Sequence, residues 1–233
     1  MRQFVSSCVF IFLLSYSCLA GPNEDKLLNM SVTVKTDRGT GSGTFYKYKD
    51  KYYVLTAGHV VSSLRTTKDG KETYGKCTVS QTLFKNGKEV GEISRKAKLV
   101  ALSPPEEEGG IDLALLEVAG FAGISTLSFD EDSKLDIGER IFHIGSLYGD
   151  ITNSFIIGHV ARLDFTLESF PDSVFNVVNL NGRPGSSGGG VFVNRGGKFF
   201  YAGMVVRGDS GGIMLTKPIE VIKAWLKEVS LGD

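Results

Sequence analysis

The stretch Asn181-Gly182-Arg183-Pro184-Gly185-Ser186-Ser187-Gly188-Gly189-Gly190-Val191-Phe192 is a glycine-rich turn with a serine near its centre, running into residues that read as a buried strand. A nucleophilic serine needs such surroundings. Its hydroxyl must stand clear of the chain, and glycine permits close backbone approaches that a Cβ would block. Two backbone N–H groups must also converge on one point to hold an oxyanion. Gly185 and Ser187 can supply them from a single turn. The same letters also fit a β-turn with two incidental serines, since short Gly/Ser motifs recur by chance.

A serine hydroxyl is a poor nucleophile without a base, and the base needs one tautomer and one orientation, which a buried carboxylate provides. Two further stretches offer these groups. Lys51 to Val61 is a strand that runs into a short turn carrying His59, and Gly109 to Val118 places Asp112 at the mouth of an apolar strand. Thr56-Ala57-Gly58-His59, Asp112-Leu113-Ala114-Leu115-Leu116 and Gly185-Ser186-Ser187-Gly188-Gly189 resemble the three signatures of trypsin-like (chymotrypsin-fold) serine proteases. The order His, Asp, Ser is that family's order. The resemblance runs from about Met30 to Leu226 and implies Ser187 as nucleophile, His59 as general base then acid, and Asp112 as the residue that orients it.

Competing residues exist for each role. His143 and His159 alternate with apolar residues inside strands and read as structural or surface histidines. The acids of 130–136 fall in what reads as an interbarrel linker. Gly208-Asp209-Ser210-Gly211-Gly212 matches the trypsin nucleophile motif better than the stretch around Ser187 does. Architecture argues against it: the family needs two strands and a helix behind the nucleophile, and behind Ser210 only one short strand and the helix remain. Ala202 to Gly208, including Val206, instead resembles the family's substrate-binding strand, with Gly208 pairing to the substrate backbone. By position, the resemblance puts Asn181 near the floor of the specificity pocket, with Gly208 and Gly212 on its walls. Asn181 is not the carboxylate that a preference for Lys or Arg requires.

Short β-rich segments separated by turn residues must carry these groups. The candidate strands are 30–36, 42–48, 51–56, 75–84, 90–102 and 111–118, then 139–145, 154–163, 173–180, 189–194, 198–207 and 211–216. Two equal sets predict an all-β fold of two six-stranded antiparallel β-barrels, chymotrypsin-like, which the resemblance also implies. Ile219, Ile222, Trp225, Leu226 and Val229 recur at helical spacing behind Pro218 and predict a C-terminal α-helix. The expected divisions are a signal peptide over 1–20, an N-terminal barrel over 21–128 with His59 and Asp112, and a C-terminal barrel over 129–233 with Ser187. No sequence remains for a PDZ domain, a departure from most HtrA proteins.

Residues 1–20 combine Arg2, an apolar run from Phe4 to Leu19 and Cys18-Leu19-Ala20 as a small-x-small cleavage site, the pattern of an export signal. The expected location is secreted or periplasmic, with no stable membrane association after cleavage. Removing Cys8 and Cys18 leaves Cys77 alone, so no internal disulfide forms, unlike animal digestive trypsins. The branch is expected to be bacterial, HtrA-like or glutamyl-endopeptidase-like. Across 233 residues, 26 basic and 26 acidic side chains give no general attraction for nucleic acid. No cluster has metal-ligand spacing, and no organic cofactor is implied.

The expected activity is a serine endopeptidase acting on polypeptide substrates through an acyl-enzyme. A catalytically inactive trypsin-fold protein that binds other proteins is the alternative, and three filled catalytic positions argue against it. An α/β-hydrolase esterase would need Ser before Asp before His, and alternating helices and strands. Ser186, uncharged, stands where trypsinogen-type activation needs an aspartate. The oxyanion loop is therefore expected to be held locally, by the Ser186 hydroxyl and the turn at Pro184.

Overall fold

The structure, a computed structural model, describes residues 22–121, 125–127, 129, 133–209 and 211–229; the expected signal peptide and Ser210 lie outside them. A short helix, α1 (Pro22–Leu28), leads into strands β1 (Ser31–Lys35), β2 (Thr40–Tyr48) and β3 (Lys51–Ala57). One helical turn, α2 (Gly58–Val61), follows, then a small hairpin of β4 (Arg65–Lys68) and β5 (Lys71–Tyr74). Strands β6 (Lys76–Lys85), β7 (Lys88–Ser103) and β8 (Leu113–Val118) complete the first half. It closes as a barrel in the order β1-β2-β3-β8-β7-β6, leaving the β4–β5 hairpin outside.

The second half contains β9 (Arg140–Leu147), β10 (Ile151–Leu167), β11 (Phe170–Asn179), β12 (Gly190–Arg195), β13 (Lys198–Gly208) and β14 (Ile213–Pro218), then helix α3 (Ile219–Glu228). It closes in the order β10-β11-β14-β13-β12-β9. The two six-stranded antiparallel barrels and the terminal helix agree with the sequence expectation. The added hairpin and α1 do not appear in that expectation.

Side-chain alternation explains how the barrels share strands with the core between them. On β8, Ala114, Leu116 and Val118 point into the first barrel with Val32, Val34, Phe45 and Val54. Leu113 and Leu115 face the other way, into a cluster with Leu55, Ala57, Ile144, Met204 and Val206 that joins the two halves. An antiparallel strand buried on both faces reads as a continuous apolar run, as Leu113 to Leu116 does. Each large side chain so buried contributes about 1.5–3 kcal/mol. The cluster thereby fixes the cleft edge of one barrel against that of the other. Ile219, Ile222, Trp225 and Leu226 bury one face of α3.

Residues near the start of the described chain are tied to the first barrel. The Asp25 carboxylate accepts the N–H groups of Asn86 and Gly87 at the β6–β7 turn. Asn29 exchanges two hydrogen bonds with the Phe84 backbone, at 2.9 and 2.7 Å. Ser31 is 1% exposed. Asn29 and Ser31 are thus both engaged in the fold.

Candidate active site

His59 rides on α2, directly after β3. A Cβ on Gly58 would lie 2.5 Å from the Ser103 carbonyl oxygen and 3.1 Å from Asp112 Oδ1, so only glycine lets this turn close on the next strand. Asp112 adopts φ +58, a left-handed conformation that acids tolerate better than most residues. Its N–H donates to the Pro104 carbonyl at 2.8 Å, and the preceding Ile111 N–H donates to Ser103 Oγ at 2.9 Å. So held, Asp112 meets His59 twice. Oδ1 accepts the His59 backbone N–H at 2.7 Å, and Oδ2 faces His59 Nδ1 at 2.8 Å. The Asp112 side chain is 3% exposed and that of His59 39%. A carboxylate against Nδ1 keeps a proton on that nitrogen and leaves Nε2 as the acceptor, open to the cleft.

A charged network lies beside Asp112 and links the barrels. Glu106 is buried in the turn that precedes Asp112, and its Oε1 pairs with the fully buried Lys217 Nζ at 2.6 Å. Lys217 also lies 4.0 Å from the centroid of the Phe175 ring. Burial pushes the Lys217 pKa down, while Glu106 and then Asp112 oppose that shift. Arg207 on β13 pairs with Glu107 at 2.7 Å. None of these four residues is singled out in the sequence reading.

Ser187 lies between the barrels. Its carbonyl accepts the Ser42 N–H of β2 at 2.7 Å. A Cβ on the next residue, Gly188, would meet the Ser42 carbonyl oxygen at 2.1 Å and Ala57 N at 2.9 Å. The turn that carries Ser187 is thus pressed against the strand end that leads to His59. The Ser187 hydroxyl makes no hydrogen bond to a described residue.

The turn of residues 183–186 has Pro184 second and Gly185 third, with Gly185 at φ +98 and the Ser186 N–H donating to the Arg183 carbonyl at 2.9 Å. These are the requirements of a type II turn. The Pro184 carbonyl accepts the Tyr148 N–H at 2.6 Å. Because the peptide is trans, the Gly185 N–H points the opposite way. Among the described residues, the Gly185 and Ser187 N–H groups have no acceptor.

Beside Ser187 opens a cavity of about 540 Å³, lined by Tyr148, Gly182, Arg183, Pro184, Gly208, Asp209 and Met214. Gly208, a wall residue in the sequence reading, is among the lining residues. Asn181 is exposed and Gly212 φ +90 lies on the loop before β14; neither lines this cavity. Val206 is buried on β13, at the bulge between Val205 and Arg207. The side chain between the glycine walls is Met214. A Cβ on Gly182 would lie 2.4 Å from Met214 Cε, and one on Gly208 2.0 Å from its Sδ. Asp209 Oδ1 is occupied by the N–H groups of Gly211 and Ile213, at 2.8 and 3.0 Å.

The other candidates lie elsewhere. His143 is fully buried, with Nδ1 at 3.1 Å from the Gly190 carbonyl, and burial pushes its pKa down to about 4. His159 is exposed on β10. Burial pushes the Cys77 thiol up to about 11, so it is protonated at neutral pH and no nucleophile.

Two barrels with such a cleft form the architecture of a trypsin-like peptidase. The sequence pattern of the trypsin-like peptidase domain matches residues 41–200, and the chain belongs to that family. No curated protein sequence matches significantly. Among solved structures, the HtrA-type protease AlgW with tripeptide is similar at a TM-score of 0.65 and 18% identity, covering 89% of this chain and 64% of that one. The chain thus spans less than two thirds of AlgW. Deg5 is similar at a TM-score of 0.61 and 23% identity, covering 89% of this chain and 93% of that one. An inactive mutant form of Rv3671c from M. tuberculosis H37Rv matches at 0.61 and 14% identity, covering 91% and 92%. Identities this low speak to the shared fold.

Proposed function

We propose that the chain is an exported serine endopeptidase that cleaves polypeptides through Ser187, His59 and Asp112. The observation that carries this reading is the double hold of Asp112 on His59 at the same cleft as two N–H groups without acceptors. In the reaction, Ser187 Oγ attacks the scissile carbonyl carbon as its proton passes to His59 Nε2. The carbonyl oxygen takes the negative charge and is held by the N–H groups of Gly185 and Ser187. His59 returns the proton to the departing amine, leaving an ester on Ser187. Water then attacks that ester, with His59 again taking and returning the proton. Asp112 stays ionised and stabilises the imidazolium in both halves.

The substrate side chain next to the cleaved bond would enter the cavity that Met214 closes, where the carboxylate among the described lining residues is Asp209, with Oδ1 held by the N–H groups of Gly211 and Ile213. Export is supported by the N-terminal pattern alone. Degradation of an unfolded protein such as casein, compared between the parent and Ser187→Ala, tests the reading. Loss of activity on the order of 10⁴-fold or more is expected; equal degradation by both would overturn it.

A further inference from the structure

Ser42 lies on β2 in the first barrel, 143 residues before Gly185, and is fully buried. All of its polar atoms are engaged at the nucleophile turn or its supports. Its N–H donates to the Ser187 carbonyl at 2.7 Å. Its carbonyl accepts the Thr56 hydroxyl at 2.6 Å. Its Oγ accepts the Ser146 N–H at 2.7 Å and lies 2.6 Å from the Gly185 carbonyl oxygen. The direction of the last bond is forced. A carbonyl cannot donate, so the Ser42 O–H must donate to Gly185.

That bond fixes the plane of the Gly185–Ser186 peptide. The plane before it, Pro184–Gly185, is fixed by the Tyr148 N–H. Gly185 is therefore held from both sides at φ +98, a conformation in which a Cβ would meet the Ser146 carbonyl oxygen at 2.8 Å. Rotation of the first plane would turn the Gly185 N–H itself, and rotation of the second would change the orientation of that N–H relative to the Ser187 N–H two residues on, so either would separate the point the two share. We infer that the Ser42 hydroxyl is a positioning residue for the oxyanion site, setting the Gly185 N–H from the opposite barrel. The inference rests on the serine-peptidase reading above. It makes the site sensitive to how the two barrels close on each other, since the hydroxyl and the turn it holds belong to different barrels.

Ser42→Ala removes the hydroxyl and keeps the strand and the backbone bond to Ser187. The expected result is a fall in kcat of about 10- to 30-fold with KM within about twofold, less than the 10²–10³ lost when an oxyanion donor itself is removed. Affinity for a peptidyl trifluoromethyl ketone, whose adduct carries the oxyanion, should fall by the same factor. Affinity for a non-cleaved product peptide should stay unchanged. A general loss of structure would weaken both ligands alike. Ser42→Cys, with a weaker donor in the same place, should give a smaller loss and serves if the alanine variant unfolds. An active parent with Ser42→Ala within twofold in kcat, or equal weakening of ketone and product, would overturn the inference alone. A parent that neither cleaves peptide nor forms the ketone adduct would overturn the serine-peptidase reading and this inference with it.

Discussion

Arg183 and Ser186 exchange two hydrogen bonds across the turn that carries Pro184 and Gly185: the Ser186 N–H donates to the Arg183 carbonyl at 2.9 Å, and the Arg183 N–H donates to Ser186 Oγ at 3.0 Å. Ser186 is fully buried. A buried ammonium inserted here would find no counter-ion on Ser186 and would be destabilised by several kcal/mol. The turn is instead closed by its own atoms. Chains beginning at Gly21, and chains with a few extra residues before it, should therefore show equal active-site titres. Activity gained only after a defined cleavage that exposes one N-terminus would contradict this.

Asp112→Asn keeps the shape of the group that meets His59 but replaces one acceptor oxygen with a donor. Nδ1 then no longer faces a carboxylate, and the imidazole loses its fixed tautomer. A drop in kcat of about 10⁴-fold with little change in KM is expected, by analogy with other triads. Steady-state kinetics on a peptide ester or amide would show it, and a variant within tenfold of the parent would remove Asp112 from the mechanism.

His143 makes stability depend on acid. Its pKa is depressed from 6.5 to about 4 by burial, so the native chain keeps it neutral where the unfolded chain protonates it. Its contribution is complete above about pH 6.5, is lost as pH falls toward 4, and amounts to on the order of 3 kcal/mol. Urea midpoints should fall across that window. His143→Asn, which keeps a donor for the Gly190 carbonyl and cannot titrate, should flatten that part of the profile. An unchanged slope would place the acid sensitivity elsewhere.

Met214 occupies the space between Gly182 and Gly208. Met214→Ala should deepen the cavity and shift preference next to the cleaved bond toward larger apolar side chains, by about tenfold in the kcat/KM ratio of Leu or Phe over Ala. A peptide library differing at that position measures the ratio. An unchanged profile would mean that substrates do not enter this cavity.

Much of this was legible from local pattern. The six-and-six strand sets and the helix behind Pro218 follow from periodicity, and the motifs single out His59 and Asp112, which the structure brings into contact, and Ser187, which it bonds to Ser42 of the first barrel. The β4–β5 hairpin escaped because its strands are polar on both faces, although its turn, Asp69-Gly70 with both residues at positive φ, is a strong hairpin signal. α1 escaped because seven residues are too few for a clear period. The parts of the site that stayed hidden are long-range. Met214 lines the cavity only because β14 packs beneath two glycines, and Asn181, closer in sequence to the turn, faces solvent. Ser42 reads as an ordinary strand serine until the barrels close and bring Gly185 to its hydroxyl.

The most direct test of the central claim is reaction with a fluorophosphonate probe, followed by peptide mapping of the modified residue. Phosphonylation should fall on Ser187 and vanish in Ser187→Ala and His59→Ala, while Ser210→Ala should label as the parent does. A label mapped to Ser210, or one that survives Ser187→Ala, would contradict the account.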